Sequence, residues 1–157
     1  MTTWRLRLEP FLTPLFRAWW RARRSVTLGV RGIITDETGR VLLVRHSYAH
    51  GWHLPGGGVE HGETAVFAIQ REVAEEGGVE ATEAPALIGL FANHTNFPND
   101  HIALYRFGAW RPCTPLATQE IAERGFFALD ALPDGVTKGT RRRLAEVFSG
   151  AAQSADW

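Results

Sequence analysis

Hydrophobic and polar positions alternate first over Ser25–Thr35, SVTLGVRGIIT, where β-branched residues recur in partial alternation and predict a strand. A turn, Asp36-Glu37-Thr38-Gly39, follows, and Arg40–Arg45, RVLLVR, predicts a second strand, so the pair reads as a β-hairpin. After a loop and three glycines at 56–58, Thr64 is placed to cap a helix from about Ala65 to Gly77, stopped by Gly77-Gly78, with Val66, Ile69 and Val73 as its apolar flank. Ala84–Asn93 and His101–Trp110 predict two strands joined by the polar loop at Asn96–Asp100. Arg111–Gln119 reads as a loop, Glu120–Leu129 as a further strand, and Thr137–Phe148 as a closing helix with Arg141, Arg142 and Arg143 on its solvent side. Ser149–Trp157 reads as a frayed tail.

Ahead of all this, residues 10–24 are helical in pattern after Pro14, with Leu15, Phe16, Trp19 and Trp20 on one side and Arg17, Arg21, Arg23 and Arg24 on the other. Such a helix packs on its own domain or on a sister subunit in a homodimer. An anionic membrane surface is the weaker alternative. The order of elements predicts an α/β architecture, α+β by some schemes, with helices layered on a mixed sheet. Residues 1–24 form the amphipathic helical segment, 25–150 the folded domain and 151–157 the tail.

Composition narrows the class. With 157 residues, 45% hydrophobic and 22% charged, the chain suits one globular domain. A formal net charge of zero gives no electrostatic invitation to a nucleic-acid duplex. Cys113 is the only cysteine, which rules out an internal disulfide and fits a reducing, cytoplasmic setting. No apolar run reaches the ~20 residues of a membrane span. His46, His50, His53 and His61 match no common zinc spacing.

The strongest chemical signal lies in the first predicted helix. Glu72, Glu75 and Glu76 stand at i, i+3 and i+4, which puts three carboxylates on one face. At ~4 Å and an effective dielectric of ~20, each like-charge pair costs about 4 kcal/mol. A cation, shared protons or open water must relieve that repulsion, and oxygen donors in this number suit a hard divalent ion such as Mg2+. By spacing alone, a solvated acidic face competes with that reading.

The wider pattern decides between them. Gly57, five residues, Glu63, seven residues, then Arg71-Glu72-Val73-Ala74-Glu75-Glu76-Gly77-Gly78-Val79 resembles the signature of the Nudix hydrolase family. His53-Leu54-Pro55-Gly56-Gly57 resembles the lead-in to that signature. Glu120-Ile121, Phe126–Leu129 and Leu132-Pro133 look like a common family ending, so the resemblance covers about residues 26–148. It implies a mixed central sheet sandwiched between helices and a Mg2+-dependent pyrophosphohydrolase, with Mn2+ as a substitute. The substrate would be a nucleoside diphosphate linked to another group. Glu72 and Glu76 would be the principal metal ligands, joined by Glu75 and the Gly56 carbonyl, with Glu63 acting through water and Arg71 orienting the glutamates. The general base would be Glu72 or a later carboxylate, for which Glu120 is preferred to Glu123. Arg45, Trp52, His53, Phe97 and Arg106 are the candidates for substrate contact. A Nudix fold that binds or regulates without turnover is the alternative.

Overall fold

The computed structural model describes Phe16, Trp19 and residues 25–116 and 119–157. Phe16 and Trp19 are helical, with ring centroids 5.8 Å apart; the rest of the helix expected over residues 10–24 lies outside the described residues. The order is β1 (Thr27–Ile33), β2 (Val41–His46), α1 (Ala65–Glu72), a π-helical turn (Val73–Gly77), β3 (Val79–Ala81), β4 (Ala86–Ala92), β5 (Asp100–Arg106), β6 (Trp110–Pro112), β7 (Ile121–Phe127) and α2 (Lys138–Phe148). Three ladders result. β1-β5-β4 is mixed, β1 running parallel to β5 and β4 antiparallel to it, while β2-β7 and β3-β6 are antiparallel.

The expected hairpin does not form. β1 and β2 touch through the Thr35–Val41 bridge and the Leu42 N–H bond to the Ile34 carbonyl, 2.9 Å. The cause is the glycine-rich loop, which occupies the free edge of β1. Val30 N–H bonds the Gly57 carbonyl at 2.8 Å, Gly32 N–H the Pro55 carbonyl at 2.9 Å, and Val59 N–H the Leu28 carbonyl at 2.9 Å. On its other side the same loop reaches β2, where Val44 and His53 exchange both backbone bonds at 2.9 Å. A loop thus lies where the second hairpin strand was expected, and it carries Gly56 and Gly57 into the middle of the sheet.

The core has two layers set by strand parity. Val30, Ile34, Leu42, Ala103 and Tyr105 pack on Ala68, Ile69 and Val73 of the first helix. Ile33, Val41, Leu43, Phe91 and Leu104 point the other way, onto Leu144 of α2. This is a sheet between helices, as expected from the chain order. Two three-residue strands were not expected: the sequence pattern gives no element at β3, and β6 straddles the expected end of a strand at Trp110 and the expected loop from Arg111; both are too short to show alternation, and Arg111–Glu80 ion pairing at 2.9 Å joins them. Among the described residues no helix is long and apolar enough to cross a membrane.

The C-terminal expectations need correction. Arg143 is not on the solvent side of α2: it is fully buried, its guanidinium 3.9 Å from the Phe91 ring centre and 2.7 Å from Glu146 Oε1. The tail is not frayed either. Ala92 N–H bonds the Ala155 carbonyl at 2.9 Å, and Trp157 N–H bonds the Ala92 carbonyl at 2.8 Å, so the tail adds to the outer edge of β4.

Candidate active site

The carboxylate helix starts where Thr64 Oγ1 accepts the Phe67 N–H at 3.2 Å. Ala68, Ile69 and Val73 bury one flank, and Glu72, one turn after Ala68, lies along that flank against the glycine loop. The last turn widens to a π-helical one and ends on Gly78 in the left-handed conformation, φ 68°. Glu76 thereby enters the interior, with 5% of its surface exposed. Gly77 lets this turn approach β2, because a Cβ there would lie 2.7 Å from Leu42 Cδ2.

Two glycines hold the acidic side chains from the other side. Gly56, at φ 143°, has a backbone that side chains rarely adopt, and a Cβ would run into the Val30 carbonyl. Its N–H donates to Glu76 Oε2 at 2.8 Å. A Cβ on Gly57 would strike the Glu72 carboxylate, which lies directly against the glycine's Cα.

Arg71 is the hub of this cluster. Its guanidinium donates to Glu63 at 3.0 Å, to Glu72 at 2.8 Å, to Glu75 at 3.4 Å and to the Gly58 carbonyl at 3.4 Å. The bonds to Glu63 first, then those to Glu72, raise its pKa above the usual arginine range. Arg71 in turn holds Glu63 below its ordinary value. Glu72 moves upward, because burial outweighs its bond to Arg71. Burial moves Glu76 furthest, to about 7, against the Gly56 hydrogen bond and the charge of Arg31. Among the described residues no three carboxylates, imidazoles or thiols close around one point, and Glu63, Glu72 and Glu75 each pair with Arg71.

Three neighbours were not among the expected site residues, although His46 had been weighed as a zinc ligand. Arg31, on β1, donates to the Leu54 carbonyl at 2.8 Å, and its charge acts on Glu76, Glu72, His46 and His53. His46 is buried beside Glu76, Nδ1 to Oε1 being 3.6 Å, and that nitrogen has no hydrogen-bond partner. Burial, with Arg31 and His53, lowers its pKa to about 4, so the ring is neutral. Arg124 donates to the Glu76 carbonyl at 2.8 Å and ties the π-helical turn to β7.

A cavity of about 610 Å³ adjoins this cluster, lined by Arg31, His53, Phe97, Lys138, Asp156 and Trp157 among others. Of the residues expected to contact substrate, His53 and Phe97 share this cavity. Trp52 packs edge-on against Phe127 at 4.9 Å, and Arg45 lies 6.0 Å above the Trp52 ring while pairing with Glu123 at 2.9 Å. Arg106 stands at the opposite end of β5 from Asp100, over the Phe148 ring at 5.4 Å, and is not brought to the cavity. Glu120 is exposed, its carbonyl accepts the Ser47 N–H at 2.8 Å, and its charge is felt by Glu76 and Tyr48.

Known proteins resemble this chain. A MutT-like protein of Streptomyces ambofaciens is 38% identical over 69 residues, 44% of each chain. The 8-oxo-dGDP phosphatase NUDT18 of Mus musculus is 39% identical over 74 residues, 45% of this chain and 22% of that protein. The matched stretch thus spans less than half the length of either relative. Among solved structures, a MutT NUDIX hydrolase from Burkholderia pseudomallei superposes with a TM-score of 0.67 and 29% identity, over 78% of this chain and 98% of that one. The NUDIX domain model matches residues 26–147, a span that contains the carboxylate helix, its glycine loop and both core layers, and the chain therefore belongs to the NUDIX hydrolase family.

Proposed function

We propose that the protein is a divalent-metal-dependent pyrophosphohydrolase that cleaves the diphosphate bond of a nucleotide derivative. The observation that carries this reading is the pair Glu72 and Glu76, two desolvated carboxylates pressed against a glycine loop with their pKa values pushed upward. Burying two negative charges side by side is unfavourable unless a cation offsets them. The residues fit such a cation: Glu72, Glu75, Glu76 and the Gly56 carbonyl offer oxygen donors, and the buried His46 Nδ1, 3.6 Å from Glu76 Oε1, has no hydrogen-bond partner. Glu72 and Glu76 would hold Mg2+, or Mn2+ in its place, with Glu75 and the Gly56 carbonyl adding oxygens and Glu63 contributing through water. A bound divalent ion supplies neutralisation of phosphate charge and a lowered pKa for its bound water.

The chain's own residues do the rest. Arg71 orients Glu63, Glu72 and Glu75 by pairing with all three. Arg31, fixed by the Leu54 carbonyl and with a pKa that burial lowers against the pull of Glu76 and Glu72, presents a positive charge between the carboxylates and the cavity, suited to a phosphate oxygen. Glu120, whose charge reaches Glu76, is the preferred base and Glu72 the other. Phosphoryl transfer needs little more than positioning and electrostatics, which this cluster provides. Similarity to a MutT-like protein and to an 8-oxo-dGDP phosphatase supports a nucleotide as substrate.

The test is release of phosphate or pyrophosphate from nucleoside triphosphates, nucleotide sugars, ADP-ribose and dinucleoside polyphosphates with Mg2+. Turnover of one class, lost in EDTA and restored by Mg2+ or Mn2+, is the expected result. Turnover indifferent to chelation, or ligand binding with no release across the panel, refutes it.

A further inference from the structure

The family match ends at residue 147, yet the residues after it are built into the cavity wall. The segment 154–157 is held by an unusual density of contacts. Its backbone pairs with Ala92 on the outer edge of β4. Arg142 donates to the carbonyls of Asp156 at 3.0 Å and Trp157 at 3.3 Å. Arg143 donates to those of Ser154 at 3.4 Å and Asp156 at 3.1 Å. Glu146 Oε1 accepts the Ser154 N–H at 3.0 Å while pairing with Arg143. The Trp157 ring meets Phe91 edge-on at 6.1 Å and lies so close to Gly139 that a Cβ there would sit 2.5 Å from its Nε1.

Sheet topology says what this segment faces. The glycine loop lies along the outer edge of β1 and the tail along the outer edge of β4, with β5 between the two strands. The loop and tail backbones are thus four strand spacings apart, roughly 19 Å. Arg31 and His53 line the cavity from the side of the glycine loop, Asp156 and Trp157 from the side of the tail. A substrate whose diphosphate lies by Arg31 therefore extends toward the tail with the group that distinguishes one nucleotide from another. Covering a strand edge alone requires no buried arginine. Fixing the position of a wall does, because a loose wall cannot discriminate.

We propose that Ser154–Trp157 is a specificity strap: it forms the distal wall of the substrate cavity and selects the nucleoside end of the substrate, with Arg142, Arg143 and Glu146 as its positioning residues. The reaction it serves is the one proposed above, but the strap's selection is a binding property and is measurable without turnover.

Two variants test it, deletion of residues 155–157 and Gly139→Ala. The second displaces the Trp157 ring while replacing glycine by a better helix former in the first turn of α2. Binding of the four ribonucleoside monophosphates is followed by titration calorimetry. Hydrolysis of the preferred nucleotide is compared with that of inorganic triphosphate, which has no nucleoside. The strap predicts that Gly139→Ala weakens the preferred monophosphate by about tenfold or more and flattens the ranking among the four. KM for the nucleotide rises with kcat held within about twofold, and inorganic triphosphate is unaffected. Unchanged affinity and ranking in Gly139→Ala overturns the proposal, as does equal loss on inorganic triphosphate, or a wild-type protein that binds none of the monophosphates. If the deletion variant melts below the assay temperature, Gly139→Ala alone decides. A wild type that binds with strap-dependent ranking but hydrolyses nothing refutes the proposed reaction and leaves the strap standing.

Discussion

Glu76→Gln should make the metal-free protein more stable and the enzyme inactive. Glu76 is 5% exposed, and burial raises its pKa from 4.5 to about 7. Below pH 4.5 the side chain is protonated in both folded and unfolded chains and carries no penalty. Between 4.5 and 7 the unfolded chain releases the proton while the folded one keeps it, so the unfolded state binds fewer protons and stability falls as pH rises. Above about 7 the full penalty of a buried carboxylate is present. At about 1.4 kcal/mol per tenfold change in proton affinity, the span from 4.5 to about 7 amounts to about 3 kcal/mol. Glutamine keeps an acceptor for the Gly56 N–H, now 2.8 Å from Oε2, and has no charge to bury. Melting in EDTA at pH 8.5 and at pH 4.5 reads the effect: a gain of roughly 6–12 °C at the higher pH and little at the lower. Added Mg2+ should stabilise wild type and not the variant. An equal gain at both pH values, or none at pH 8.5, means that Glu76 is not a desolvated carboxylate, and the electrostatic case for a cation there fails with it.

Three further outcomes test other parts of the site and fold. Gly57→Ala should lower kcat on the order of 10²-fold with melting little changed, because the new Cβ displaces the Glu72 carboxylate and not the core; undiminished kcat would separate Glu72 from the chemistry. Glu120→Gln at saturating Mg2+ should lose on the order of 10²–10⁴ in turnover, and near-normal turnover removes Glu120 as the base. Arg143→Ala should destabilise by about 3–5 kcal/mol in chemical denaturation, since it strands buried Glu146, whereas the pair Arg143→Met with Glu146→Leu should recover most of that loss. Failure of the double variant to recover would place the value of Arg143 in its bonds to the tail carbonyls and not in the buried pair.

Local signals carried far in this chain. Thr64 and Gly78 bracket the carboxylate helix because a cap and a left-handed glycine act within a few residues. The acidic cluster was legible for the same reason, as helical spacing places Glu72 and Glu75 within reach of Arg71, while Glu76 turns inward to Gly56 through the π-helical turn. What local pattern could not show was competition for the edge of β1. The alternation in Thr27–Ile33 and Val41–His46 is equally compatible with a hairpin, and only the backbone of residues 55–59, which lacks apolar periodicity altogether, displaces that pairing.

The missed charges differ from the missed pairing, because each left a local trace. Arg31 interrupts an apolar run, and a charge carried into a sheet core needs oxygens to meet it; the Leu54 carbonyl and the acidic cluster are those oxygens. Arg141, Arg142 and Arg143 are consecutive on a helix, so their side chains fan through about 200° and cannot share one solvent face. Thr140 and Leu144 are buried around Arg143, which places the inward direction at that residue. An inward arginine then requires acceptors, and Glu146 supplies one three residues on. Its terminal nitrogens find further acceptors beyond α2, in the carbonyls of Ser154 and Asp156, while Nε has no hydrogen-bond partner. A buried arginine at 143 and an ordered tail are therefore one feature: each leaves polar groups unsatisfied without the other, and together they close the far end of the cavity.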